Sequence, residues 1–300
     1  MNESPNLSAS RGNRLGIGIF KLLLRCGGYR PALLLARVVT WFYARFDRTA
    51  FEATSAYLKL RFPGDAGEPG RLRRHFHRLL YELAKMLIVS YRMGAGIRLP
   101  LEELNADCIP EKGGVVFVMA HHGCWQASME LLNRKGERAV NIMARPDHNR
   151  NMDKFQAVKD RRSFNVISTE GFSGGLIEAS AALERGEAVI VMGDRAVDGT
   201  AGIKAEYLGG SIELPLSPWM IAACNHVPAI PIFTELRKNP DRIEICYCKP
   251  IVFPVLNRRI LPEELRSGAE QYARELEAAA MKSPYSVFRF GNEKSADWQE

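Results

Sequence analysis

Apolar and polar positions change their rhythm along this chain. Over residues 15–62 apolar residues recur at helical spacing, broken by Lys21, Arg25, Arg30, Arg37 and Arg45. Gly27, Gly28 and Pro31 interrupt the pattern, which predicts one helix before them and a second after, with Trp41, Phe42 and Tyr43 near its end. P-G-D-A-G-E-P-G at 63–70 is a loop signal, and helical periodicity resumes over 71–90. From Gly113 the rhythm is that of strands: apolar runs at 115–119, 140–143, 188–192, 229–233 and 243–248. Helix-compatible segments at 124–133, 152–162 and 174–185 lie between the earlier runs, and 263–281 reads as a final helix.

Alternating strand and helix predict an α/β fold: a mixed, largely parallel sheet flanked by helices. An N-terminal helical hairpin precedes it at 14–62. Residues 1–13, polar and rich in Ser and Asn, read as a disordered tail, and 291–300 as a second tail. The α/β domain spans 71–290, with 14–290 expected to form one structural unit.

Composition narrows the class. The 300 residues can bury a sizeable core, and 46% apolar with 25% charged is ordinary for a globular chain. A net charge of +7 suits an anionic partner. No zinc finger, Arg-rich tract or aromatic-basic RNA signature is present, so nucleic acid is not expected. Six cysteines without C-x-x-C or metal-ligand spacing predict reduced thiols and no metal. No signal-peptide form is visible. The longest uncharged run near the N-terminus, 38–44, is far short of the ~20 residues that span a bilayer. Arg14, Lys21 and Arg25 share a helical face, and Ile17, Ile19, Phe20, Leu22, Leu23 and Leu24 cover much of the rest, which suits a hairpin lying in the membrane interface; two core-packing helices with basic outer faces are the alternative.

Candidate chemistry centres on V-V-F-V-M-A-H-H-G-C-W-Q at 115–126. A buried strand that delivers His121 to a Gly-containing turn places a base where α/β sheets usually bind ligands. His122 is a rival base. Cys124 can be read as a nucleophile near a helix N-terminus or as a small packing residue, and the packing role is the simpler one. Arg71, Arg74 and Arg78 share a face in the run R-L-R-R-H-F-H-R, with His75 and His77; this reads as a solvated or lipid-facing surface, or as a docking face for a carrier protein.

The order of these features resembles the lysophospholipid acyltransferase superfamily, in particular the branch of late lipid A acyltransferases. His121-His122-Gly123-Cys124-Trp125-Gln126 is similar to the family's H-x4-(D/E) motif; Arg145-Pro146-Asp147-His148-Asn149 to its arginine motif; Gly193-Asp194-Arg195 and Leu208-Gly209-Gly210 to its G-D-R segment and the Leu-Gly beyond it. Leu214-Pro215-Leu216-Ser217-Pro218, then 227–231 and the late 285–290 cluster follow in the same order. The resemblance implies a membrane-associated enzyme of lipid A or lipopolysaccharide biosynthesis, monotopic or peripheral on the cytoplasmic face of a bacterial inner membrane. It implies transfer of a fatty acyl group, without a cofactor, from acyl carrier protein or acyl-CoA to a hydroxyl or amine of a lipid acceptor. His121 corresponds to the general base and Arg145, with Asn149, to the site of an anionic acceptor group. Arg195 would hold an anion or assist the thioester oxyanion, and Trp125 would wall the acyl pocket.

One position departs from the motif: Gln126 stands where the family has an acid. Three groups are candidates to orient His121. Gln126 itself can do so through its amide. Glu130, one turn further on, would have to reach back about 6 Å. Asp194 would supply a carboxylate from another strand end. A thioester hydrolase, or a non-catalytic lipid- or carrier-binding homologue, are the competing functions.

Overall fold

The structure, a computed structural model, describes residues 22–24, 28–97, 99–128, 132, 138–144, 164–170, 174–196, 202–237, 242–254 and 262–288. The first helix of the expected hairpin, except 22–24, and both tails lie outside the described residues, as do the segment 152–162 and three candidate site residues, Glu130, Arg145 and Asn149.

Among the described residues seven strands form one sheet: β1 (Leu101–Leu104), β2 (Val115–Met119), β3 (Val140–Ala144), β4 (Phe164–Ser168), β5 (Ala188–Met192), β8 (Ala229–Leu236) and β9 (Ile243–Tyr247), in the order β1-β9-β8-β2-β5-β3-β4. β8 and β9 pair antiparallel and the other neighbours are parallel, so the sheet is mixed and largely parallel as expected. Between β5 and β8 a separate hairpin, β6 (Gly202–Tyr207) and β7 (Gly210–Pro215), turns through Leu208 and Gly209. Both turn residues have positive φ (51° and 76°), the backbone that a two-residue type I′ hairpin needs.

The helices are α1 (Tyr29–Phe46), α2 (Arg48–Arg61), α3 (Pro69–Gly94), α4 (Leu176–Glu184), α5 (Ser217–Cys224) and α6 (Pro262–Lys282). Helix α1 ends just after Trp41, Phe42 and Tyr43, where the second N-terminal helix was expected to end, and Asp47 caps the following α2 by accepting the Ala50 N–H at 2.9 Å. β2 lies in the middle of the sheet, and all five of its residues are buried. Trp219, Tyr207, Tyr247 and Tyr272 fill the surrounding core.

Helix α1 packs against α3 with its small residues. Ala32, Ala36, Thr40 and Ala44 form the buried row, four residues apart, while Arg73 of α3 donates to the Ala44 carbonyl at 2.9 Å. The large apolar side chains point outward: Leu34, Val38, Trp41, Phe42 and Phe46 are each more than half exposed, next to exposed Arg30, Arg37 and Arg45. Helix α1 thus meets the core through its small residues and leaves its large apolar ones uncovered by the described residues. No described helix is long and apolar enough to cross a membrane.

Candidate active site

His121 and Asp194 meet because of strand register. β2 and β5 are adjacent and parallel, with Met119 opposite Met192. His121 and Asp194 each lie two residues beyond those partners, at the same level of the sheet. The ladder continues past the strands, since Gly193 N–H donates to the Met119 carbonyl at 2.8 Å. The same carbonyl accepts the Tyr272 hydroxyl at 3.0 Å, which fixes the end of β2. Gly193 is required there: a Cβ would sit 2.3 Å from Val118 Cγ1 and 3.1 Å from the Tyr272 ring.

The contact itself is double. His121 Nδ1 lies 3.1 Å from each Asp194 oxygen, and the His121 backbone N–H donates to Asp194 Oδ2 at 3.1 Å. The Asp194 side chain is 4% exposed and that of His121 34% exposed, so a buried carboxylate carries a ring that reaches the surface. With Nδ1–H donating to the carboxylate, Nε2 is left as the acceptor nitrogen. A carboxylate held in this way fixes the tautomer and stabilises an imidazolium, which suits the pair to general-base chemistry.

The turn after His121 is equally constrained. Gly123 has φ of +57°, and a Cβ would come within 1.9 Å of the Thr234 carbonyl oxygen of β8. His122 is buried, its Nδ1 3.1 Å from the same carbonyl, and its own carbonyl accepts the Thr234 hydroxyl at 3.0 Å. Burial holds the His122 imidazole below its ordinary pKa, against a smaller opposing effect of Glu235. A histidine shut in the core cannot reach a substrate, so the rival base is a structural residue. Cys124 is buried beside Ser90, and burial pushes its thiol up to about 11. That is the opposite of the lowered pKa a nucleophilic cysteine uses.

Gln126 lies on the helical turn at 125–128, and its Oε1 is buried without a hydrogen-bond partner among the described residues. The partly buried Arg195 has its Nε in the same condition. Trp125 meets the His121 ring edge-on, with centroids 6.2 Å apart. The structure therefore brings His121, Asp194 and Trp125 together at one end of β2 and β5. No described group of three or more His, Cys, Asp or Glu residues has the arrangement of a metal site.

Sequence reasoning passed over two supports of this site. Thr234, in an unremarkable strand, braces the turn. The segment 283–288 after α6 runs back against it: Phe288 N–H donates to the His121 carbonyl at 2.7 Å and Gly123 N–H to the Ser286 carbonyl at 2.8 Å. The similarity of 285–290 to the family tail was a signal for the segment; nothing in the sequence marked its contact with His121.

A largely parallel sheet with helices on its faces, presenting a histidine–carboxylate pair beyond two adjacent strand ends, places this chain among α/β folds. Residues 11–284 match the family described as bacterial lipid A biosynthesis acyltransferase. The chain belongs to that family, and it is an acyltransferase. None of the curated proteins matches it. Among solved structures it is similar to the 1-acyl-sn-glycerophosphate (LPA) acyltransferase PlsC from Thermotoga maritima, with 18% identity over 82% of this chain and 96% of that one and a TM-score of 0.39.

Proposed function

We propose that this chain moves a fatty acyl group from a thioester to a hydroxyl or amine of a lipid A-type acceptor, with His121 as general base and Asp194 as the carboxylate that orients it. The observation carrying this reading is the 3.1 Å contact of His121 Nδ1 with both oxygens of a buried Asp194. Nε2 takes the proton of the acceptor as its oxygen or nitrogen attacks the thioester carbonyl. The tetrahedral intermediate then expels the thiolate, which leaves as the thiol with the proton from His121. No covalent acyl-enzyme is required. Arg195, beside Asp194 and with no partner for its Nε among the described residues, suits an anionic group of donor or acceptor, or the oxyanion. Arg145 and Asn149 are proposed for the acceptor's anionic group, and Trp125 for a wall of the acyl site.

The net charge of +7 suits either anionic donor, acyl carrier protein or acyl-CoA. The outward apolar stripe of α1, flanked by Arg30, Arg37 and Arg45, supports peripheral or monotopic attachment to an anionic membrane surface, proposed to be the cytoplasmic face of a bacterial inner membrane.

The test is transfer of a radiolabelled acyl chain from acyl carrier protein, and separately from CoA, to detergent-dispersed lipid acceptors. Acylated lipid is expected with wild type and not with His121→Ala. Release of free fatty acid at a rate indifferent to the acceptor would instead make the chain a thioester hydrolase. Undiminished transfer by His121→Ala would overturn the reading. Sedimentation with anionic vesicles tests the attachment: Trp41→Glu with Phe42→Glu is expected to leave the protein in the supernatant.

A further inference from the structure

After Lys282 the chain turns through hydrogen bonds from Ser283 N to Ala279 O (2.8 Å) and Ser286 N to Ser283 O (3.0 Å). It then lies antiparallel to 121–123 as a strap, with Val287 opposite His122. The carbonyl of His121 itself accepts from the strap, so the backbone of His121 is held on one side by Asp194 and on the other by Phe288.

The strap in turn is gripped by the N-terminal helices. Tyr57 of α2 donates its hydroxyl to the Pro284 carbonyl at 2.7 Å. The Tyr285 hydroxyl lies 2.8 Å from His75 Nδ1 and accepts from Arg78 Nη1 at 3.2 Å, both on α3. His75 Nε2 reaches Asp65 Oδ2 at 2.9 Å, and its ring stacks on Phe62 with centroids 3.8 Å apart and planes 8° from parallel. Phe62 also stacks against Tyr285, with centroids 5.7 Å apart. One ring nitrogen of His75 thus meets Tyr285 while the other is held by Asp65. The carboxyl of Asp65 is held below its usual range, first by its hydrogen bond with His75 and then by Arg71. That is a great deal of local order for an amphipathic, basic helix, and its product is the fixed path of residues 284–288.

We infer that Tyr285, clamped by His75 and Arg78, is a positioning residue for His121: it fixes the strap, and the strap fixes the backbone that carries the imidazole. The inference rests on the reading of His121 as the general base. Tyr285 touches no reacting atom. Its effect is expected in the geometry of proton removal and not in the binding of either substrate.

Tyr285→Phe removes the two hydroxyl contacts and keeps the ring on Phe62. Its kcat is expected to fall about tenfold or more, with both KM values within about twofold, because a misplacement near 1 Å costs rates of this order. Its melting temperature is expected to stay close to that of wild type, while hydrogen exchange at the Gly123 and Phe288 amides quickens. His75→Asn is expected to act alike, and the double variant to be no worse than either single one, since the pair forms one unit. If Tyr285→Phe fails to fold, the same measurements on His75→Asn decide the matter. An unchanged kcat, or a loss of activity that only follows loss of folded protein or enters through KM, overturns the inference. His121→Ala is measured alongside. Full transfer by that variant means the functional reading has failed; no transfer by it, with wild-type kcat in Tyr285→Phe, means that only the positioning role has failed.

Discussion

His121 Nδ1 stands 3.1 Å from both oxygens of Asp194, a residue 73 positions later in the chain. The same carboxylate accepts the His121 backbone N–H, so it sets the ring and the main chain together. Asp194→Asn keeps the shape and removes the charge. Transfer is expected to fall about 10²–10⁴-fold in kcat, the range spanned by general-base catalysis and by loss of a histidine's orienting carboxylate. Steady-state kinetics with saturating donor would check it, beside circular dichroism to establish folding.

Gln126 occupies the motif's acid position, yet the carboxylate on His121 comes from Asp194. Gln126→Ala is therefore expected to cost far less than the ~10²–10⁴ of a lost acid–base group. Gln126→Glu is expected to bring no large gain. A Gln126→Ala loss as deep as that of Asp194→Asn, in folded protein, would return the orienting role to the motif position.

Gly123→Ala places a methyl group where the Thr234 carbonyl oxygen already lies, at a backbone angle that alanine disfavours. A loss of about 1–3 kcal/mol or more in unfolding free energy is expected, with transfer reduced further because the displaced turn carries His121. Chemical denaturation of the variant gives the first figure. An unchanged midpoint would show that Thr234 and β8 yield easily.

His122 contributes to the pH dependence of stability. Its folded pKa is depressed by burial, with Glu235 opposing this and Lys282 adding to it. For a histidine the sign is then fixed: between the folded pKa and the unfolded value of about 6.5 the unfolded state binds the extra proton. The contribution is full above about pH 6.5 and is lost as pH falls from there through the folded value. His122→Asn retains a donor for the Thr234 carbonyl and does not titrate. Denaturation from pH 8 to pH 5 is expected to show a steeper acid loss for wild type than for the variant.

Much of the sheet was legible. Val115–Met119 and Ala188–Met192 are five-residue apolar runs, and they are buried parallel strands. The final helix is also found nearly as read, at Pro262–Lys282. The edge strands Leu101–Leu104 and Phe164–Ser168 were not recognised, because each is short and one face of the run is polar or ambiguous. The hairpin Gly202–Pro215 did carry a signal: Ile203, Ala205 and Tyr207 alternate with Lys204 and Glu206, and the buried positions follow that alternation. In the run 71–78 helical spacing marked an amphipathic basic face, and Arg74 and Arg78 are exposed on it. His75 departs from that face, since its partners Phe62, Asp65 and Tyr285 come from a loop and from a segment far along the chain.

By itself the sequence determined where His121 is delivered, because a buried apolar run followed by a histidine and a glycine is a local pattern. It also carried the family's order of motifs and the presence of an amphipathic N-terminal helix. It left open which face of that helix is covered, since periodicity defines two faces and only packing says which meets the core; here alanines meet α3 and the large apolar side chains face out. It left open the partner of His121 for a related reason. Gln126 was near in sequence and Asp194 distant, and distance along the chain is the wrong measure when two strands lie side by side. The pairing of β2 with β5, in register at Met119 and Met192, is a product of the whole sheet, and it is what sets the carboxylate of Asp194 against the imidazole.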